Sequence, residues 1–197
     1  MHAYIRCSVL SASSGLITLG SMPLLVLDPV PVEIEALLER RHRLGLDARD
    51  EMWEGVLHMN PSPHGRHHLI LHQLAVLLDG PARLAGLLPA MGDFNIGDEG
   101  SYRVPDGGLH RPGPDELFYP TAALVVEVVS PGDETWKKLP FYAAHSVDEV
   151  LIVDPLERAV HWFTLSGGEY EPIERSALID YGPEKLAGQI DWPDATA

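Results

Sequence analysis

Three ionisable positions in the middle of the chain stand at spacings that could assemble a site for hydrolysing a phosphate ester. Glu127 interrupts LVVEVVSP, an apolar run whose Val and Leu density predicts a strand buried on both faces. A carboxylate buried there needs a cation, a proton or several hydrogen-bond donors to offset its lost hydration. Asp106 lies 21 residues upstream, directly after Pro105 and before Gly107-Gly108. That setting predicts a strand ending at Asp106, with the glycines turning the chain away and leaving the carboxylate uncovered. Two carboxylates on neighbouring strands of one sheet can share a divalent cation, and oxygen ligands suit Mg²⁺ or Mn²⁺. Lys137 and Lys138 follow Glu127 by ten and eleven residues, at the entrance of a short helix around Pro140. The Pro131-Gly132 turn could bring either lysine over the sheet, where a lysine beside a metal can orient or deprotonate a water and stabilise charge on a phosphate oxygen.

These groups need a sheet to hold them. Strand side chains alternate, so Val125, Glu127 and Val129 share one face, and Val126 and Val128 the other. The run Ala122 to Ser130 and the apolar EVLIV (Glu149 to Val153) flank the short helix at Pro140 to Ala144, which predicts a parallel strand pair. Upstream, Ile34, Leu37, Leu38 and Leu44 mark an amphipathic helix over Val32 to Leu44; Ile70, Leu74, Leu77 and Leu78 mark a second over His64 to Leu78. EMWEGVLHMN reads as two short strands joined at Glu54-Gly55, and HWFTL pairs with EYEPI across Ser166-Gly167-Gly168. GSYRVPDGG reads as a short strand and RPGPDELFYPT as a loop. The pattern predicts an α/β or α+β fold around one mixed sheet, with no internal repeat and no linker to a second domain.

The 197 residues and 45% hydrophobic content fit one domain with a real core. The first 21 residues, MHAYIRCSVLSASSGLITLGS, are Ser-rich, lack periodicity and are followed by Met22, so we read 1–21 as a disordered or upstream-start extension and 22–197 as the domain. The single cysteine, Cys7, excludes an internal disulfide and fits a cytoplasmic protein, and no apolar run reaches membrane-spanning length. A net charge of −15 weighs against sequence-independent nucleic-acid binding, although a bound divalent cation reverses the sign of a carboxylate-rich site.

Plainer roles compete for each residue. Glu127 could form a structural bridge with Arg103, and Asp106 could be a turn former. His64, His68 and His72 are spaced for a helical metal ladder, but their face reads better as solvated. Arg40, Arg41 and Arg43 could hold phosphates, although Glu39 and its neighbours favour a salt-bridged surface helix. Trp136 reads as packing rather than a base-stacking platform.

From Glu51 to Pro155, the motifs EMWEGVL, NPSPHGRHH with its Leu-rich helix, RVPD, LVVEVVSP, KLPFY and VDEVLIVDP follow in an order and spacing that resembles the Uma-two family of the PD-(D/E)XK nuclease superfamily. The resemblance implies a restriction-endonuclease-like fold, a central mixed sheet flanked by helices, and metal-dependent endonuclease activity on nucleic acid, DNA before RNA. It makes Asp106 the aspartate of the PD half and Glu127 the acid of the (D/E)XK half. The superfamily lysine would fall at Val129; the KxxxY element moves it to Lys138, four residues before Tyr142. Glu51 and the backbone carbonyl of Val128 are implied as further metal ligands, and His67 matches the family's helix-entry histidine. The expected protein is therefore a Mg²⁺- or Mn²⁺-dependent nuclease with Asp106, Glu127 and Lys138 catalytic. A homodimer would supply a site for each strand of a duplex. The rivals are a catalytically silent scaffold of the same fold and a hydrolase of a small phosphorylated substrate.

Overall fold

The computed structural model describes residues 32–60, 63–132 and 134–193; the expected extension at 1–21 lies outside them. Helix α1 (Val32–Arg43) leads into strands β1 (Glu51–Trp53) and β2 (Val56–His58), followed by the long helix α2 (Gly65–Leu84). Strands β3 (Leu88–Met91), β4 (Asn95–Asp98), β5 (Ser101–Arg103), β6 (Gly107–His110), β7 (Phe118–Tyr119) and β8 (Leu124–Val128) come next. A 3₁₀ turn (Thr135–Lys138) runs into α3 (Leu139–Ala144). Then come β9 (Glu149–Asp154), β10 (Ala159–Ser166), β11 (Glu169–Pro172) and α4 (Pro183–Ala187).

The class is α/β as expected, but the strands form two mixed sheets rather than one: β2-β1-β5-β4-β7 and β11-β10-β9-β8-β6-β3. Strands β8 and β9 run parallel, as the helix between them requires. The two expected hairpins form as well, β1 with β2 and β10 with β11. Gly167 and Gly168 turn the second at φ 60° and 94°, the left-handed values that a two-residue hairpin loop needs.

Alternation along β8 decides what meets what. Leu124, Val126 and Val128 pack with Ile70, Leu74, Leu78 and Ala82 of α2 in one core. Val125 and, less deeply, Val129 pack with Tyr142, Val150 and Ile152 in a second core on the opposite face. Each fully buried Leu or Ile in such a layer contributes roughly 1.5–3 kcal/mol. Glu127 shares the second face, so it points toward α3 and away from α2.

Several elements depart from expectation. Helix α2 continues through Gly80-Pro81 to Leu84, because Ala82 adds another buried turn to its stripe. Helix α1 forms, yet Leu37 and Leu44 stay 41% and 59% exposed, so its stripe does not join the core. Strands β3, β4 and β7 and helix α4 occupy stretches without a clear apolar period. Asp106 does not end a strand that then turns away. The chain leaves the smaller sheet after β5, and Gly107-Gly108 begin β6 inside the larger one. Among the described residues no helix is long and apolar enough to cross a membrane.

Candidate active site

The pairing of β6 with β8 brings the two acids together. Gly107 lies opposite Val126 in that antiparallel ladder, so one step back Asp106 is level with Glu127. The Asp106 carboxylate reaches further and accepts the Val128 N–H at 2.8 Å on Oδ2. The glycines make this crossing possible, since a Cβ on Gly108 would stand 2.5 Å from the Leu124 carbonyl oxygen.

Lys138 ends the 3₁₀ turn and is buried, with its Nζ 3.0 Å and 3.2 Å from the two Glu127 oxygens and 2.9 Å from Glu51 Oε1. Lys137 points outward and pairs with Glu134 at 2.7 Å. Pro140 starts α3 directly after the turn, and α3 carries Tyr142, whose hydroxyl donates to Glu127 Oε1. The four-residue interval between Lys138 and Tyr142 is thus one helical turn that closes both donors on the same carboxylate.

Glu51, on β1 of the smaller sheet, accepts the Val104 N–H at 2.9 Å on Oε1 and the Trp53 indole N–H at 2.7 Å on Oε2. Its oxygens are engaged by those donors and by Lys138. His67, in the first turn of α2, lies with Nε2 3.0 Å from Asp106 Oδ2, while its buried Nδ1 has no hydrogen-bond partner among the described residues. Arg49, just ahead of β1, pairs with Asp106 Oδ1. These groups line one cavity of about 280 Å³, together with Val128 and Glu134. At the rim, Glu134 accepts from His58 at 2.8 Å, and His58 stacks on Trp53 with centroids 4.3 Å apart.

The charges in this cavity are strongly coupled. Burial pushes the Glu127 carboxyl up, and the neighbouring Asp106 and Glu51 push it further; together they outweigh Lys138 and Tyr142 and carry it to about 8. Burial also opposes ionisation of Asp106, but His67, Arg49 and Lys138 overcome it and hold that carboxyl at about 2. Burial alone would lower the Lys138 amine; Glu127, Glu51 and Asp106 raise it above its ordinary value, so it is an ammonium. Among the described residues no three His, Cys, Asp or Glu side chains converge closely enough to hold a metal by themselves.

The remaining candidates fall elsewhere. Arg103 is not the partner of Glu127: its guanidinium lies 4.0 Å from both the Trp53 and Phe141 rings and donates to the Met52 carbonyl at 2.9 Å. His64 precedes α2 at the cavity wall, whereas His68 and His72 are exposed, so the ladder is a solvated face. Arg41 bridges to Asp50 at 2.6 Å. Trp136 packs edge-on against His161 at 5.3 Å between centroids. Arg49 was not singled out in the sequence, where nothing separates it from the arginines of α1.

The cavity of buried acids and one lysine lies where β6 and β8 pair inside the six-stranded sheet of a mixed α/β fold. The family model Uma2, described as "Putative restriction endonuclease", matches residues 34–184, and the chain belongs to that family. Among solved structures, that of "a putative nuclease belonging to DUF820" from Anabaena variabilis is similar, with a TM-score of 0.56 and 16% identity over 71% of this chain and 90% of that one. At that identity the likeness establishes the shared fold. No curated protein matches.

Proposed function

We propose that this protein is a Mg²⁺- or Mn²⁺-dependent nuclease that hydrolyses phosphodiester bonds in nucleic acid, DNA foremost, with Asp106 and Glu127 as metal ligands and Lys138 as the catalytic cation. The observation that carries this reading is the convergence of Asp106, Glu127 and Lys138, far apart in sequence, in one cavity of a chain whose family is described as restriction endonucleases.

The donor set fits the metal. Asp106 and Glu127 offer hard oxygens, Val128 adds its backbone at the same wall, and Mg²⁺ is commonly held by one or two carboxylates with water and substrate phosphate completing its shell. Local charge fits too: beside Arg49 and Lys138 the cavity wall carries four acids, Glu51, Asp106, Glu127 and Glu134, and burial, with Asp106 and Glu51 nearby, raises the Glu127 carboxyl. When bound, the cation would polarise the phosphate and acidify a water.

The chain's own groups supply the rest. Glu51 and Glu127 hold Lys138 as an ammonium at the cavity, where it orients the attacking water and stabilises the negative charge that builds on the phosphoryl oxygens as the P–O bond forms. The attacking water gives its proton to solvent as that bond forms, and the leaving ester oxygen departs and takes a proton from solvent. His67 and the Val128 N–H fix the Asp106 carboxylate. Cleavage of both strands calls for two such sites, which a homodimer would provide.

The direct test is incubation of the purified protein with duplex DNA, single-stranded DNA and RNA in Mg²⁺, Mn²⁺ and EDTA, beside Lys138→Met. Metal-dependent cleavage lost in the variant supports the reading. If the wild type cuts none of them, the reading fails. A hydrolase of small phosphorylated molecules is the second reading, favoured by the net charge of −15 and a cavity of about 280 Å³, and a screen of nucleotides and sugar phosphates separates the two.

A further inference from the structure

Among the described residues of the cavity wall, Arg49 is a cation that the proposed reaction leaves without a task. Its Nη2 pairs with Asp106 Oδ1, and its Nη1 lies 3.4 Å from Asp93, an aspartate 37% exposed. The backbone beneath it is fixed. The Arg49 carbonyl accepts from Asn60 Nδ2 at 2.8 Å, and the next residue, Asp50, is held by the Asn60 N–H at 3.1 Å and by Arg41 at 2.6 Å. The side chain alone can therefore change partner, between a buried acid and a partly exposed one.

Asp106 has little room for two cations. Its Oδ2 is engaged by the Val128 N–H and His67, so Oδ1 is the oxygen a metal would take, and Arg49 holds it. A guanidinium and a divalent ion on one oxygen repel strongly in a buried site. We propose that Arg49 stands in for the metal on Asp106 in the metal-free site and turns outward to an oxygen of the substrate phosphate when a divalent cation replaces it. A planar guanidinium with paired donors suits a phosphate in that role. The inference rests on the metal-dependent reading above.

Arg49 is then at once a competitor of the metal and a ligand of the substrate, so removing it shifts two affinities in opposite directions. Loss of a merely structural arginine would weaken both. The experiment titrates Mn²⁺ into wild type, Asp106→Asn, Arg49→Ala and Arg49→Gln, and measures binding of a fluorescein-labelled DNA duplex in Ca²⁺ over a salt series. Arg49→Gln retains a donor for Asp106 and serves if the alanine variant does not fold. We expect both Arg49 variants to bind Mn²⁺ severalfold more tightly. They should bind the duplex more weakly, with a salt slope shallower by about one phosphate contact. Mn²⁺ affinity unchanged or lowered in the Arg49 variants, with wild type binding and Asp106→Asn not, overturns the exchange and leaves the metal reading standing. An unchanged salt slope overturns the phosphate contact. A wild type that takes up no Mn²⁺ even beside duplex overturns the metal reading itself.

Discussion

Lys138 Nζ sits between two buried carboxylates, 3.0 Å from Glu127 Oε1 and 2.9 Å from Glu51 Oε1. Removing its charge strands both acids, and breaking a buried ion pair from one side costs about 3–5 kcal/mol. Lys138→Met should therefore lose stability on that order in urea denaturation at pH 9, above the Glu127 value of about 8, where that carboxyl is ionised in the folded wild type. The double variant Lys138→Met with Glu127→Gln should recover most of the loss, because it removes one of the stranded charges. Neither variant should cleave nucleic acid. Equal stability of the single and double variants would mean that Lys138 is not the counter-cation of Glu127.

The raised Glu127 carboxyl makes the metal-free protein less stable in base. Its folded value is about 8 against an ordinary 4.5, so between those limits the folded state keeps a proton that the unfolded chain has lost. Stability then falls as pH rises through that window, by roughly 1.4 kcal/mol per pH unit at most, and levels off above it. Asp106 has the opposite sign: its value of about 2 against 3.8 gives stability that disappears as pH falls through that lower range. Thermal melts in EDTA between pH 5 and 8 should show the decline in wild type and a smaller one in Glu127→Gln. Parallel curves for the two proteins would remove Glu127 as the source.

The same proton governs metal uptake. If Glu127 is a ligand, it must ionise to bind, so Mn²⁺ affinity should rise by up to about tenfold per pH unit toward pH 8 and then flatten. Calorimetric titration at pH 7 in buffers of different ionisation enthalpy should register close to one proton released per Mn²⁺. Asp106→Asn and Glu127→Gln should each abolish binding. Affinity independent of pH, with no proton released, would exclude Glu127 from the metal shell.

Much of this was legible in the sequence because it follows from period and punctuation. Alternation placed Glu127 on the face of Val125 and Val129 and the Pro140 helix made β8 and β9 parallel, whereas the choice of Lys138 over Lys137 came from the family resemblance. What stayed hidden depends on which distant groups meet. Glu149 is a second glutamate at an apolar strand, indistinguishable in pattern from Glu127. Yet it accepts from the Trp162 indole at 2.8 Å, the Ser176 hydroxyl at 2.6 Å and the Ala177 N–H at 2.7 Å, and so pins the C-terminal segment to the sheet. Neutral donors surround one carboxylate, and a lysine with two more acids surrounds the other. Strand pattern alone carries neither fact. The second sheet escaped for a related reason: β4 and β7 are short, and only partners elsewhere in the chain make them strands.

The Gly107-Gly108 pair offers a test of how the strand crossing sets the site. A Cβ on Gly107 would stand 2.7 Å from Met91 Sδ, near the end of a flexible side chain that can swing aside. A Cβ on Gly108 would stand 2.5 Å from the Leu124 carbonyl oxygen and 2.8 Å from the Phe94 ring, and backbone has no rotamer to yield. Gly108→Ala must therefore part β6 from β8, the ladder that holds Asp106 level with Glu127. Overpacking of this kind typically costs 1–3 kcal/mol, so we expect Gly108→Ala to lose about that much and Gly107→Ala clearly less, both read from urea midpoints. Because the displaced ladder also moves Asp106, Gly108→Ala should weaken Mn²⁺ binding even where it remains folded, while Gly107→Ala should bind nearly as wild type. If the two variants lose stability and metal affinity alike, the β6–β8 spacing is not what brings the acids together.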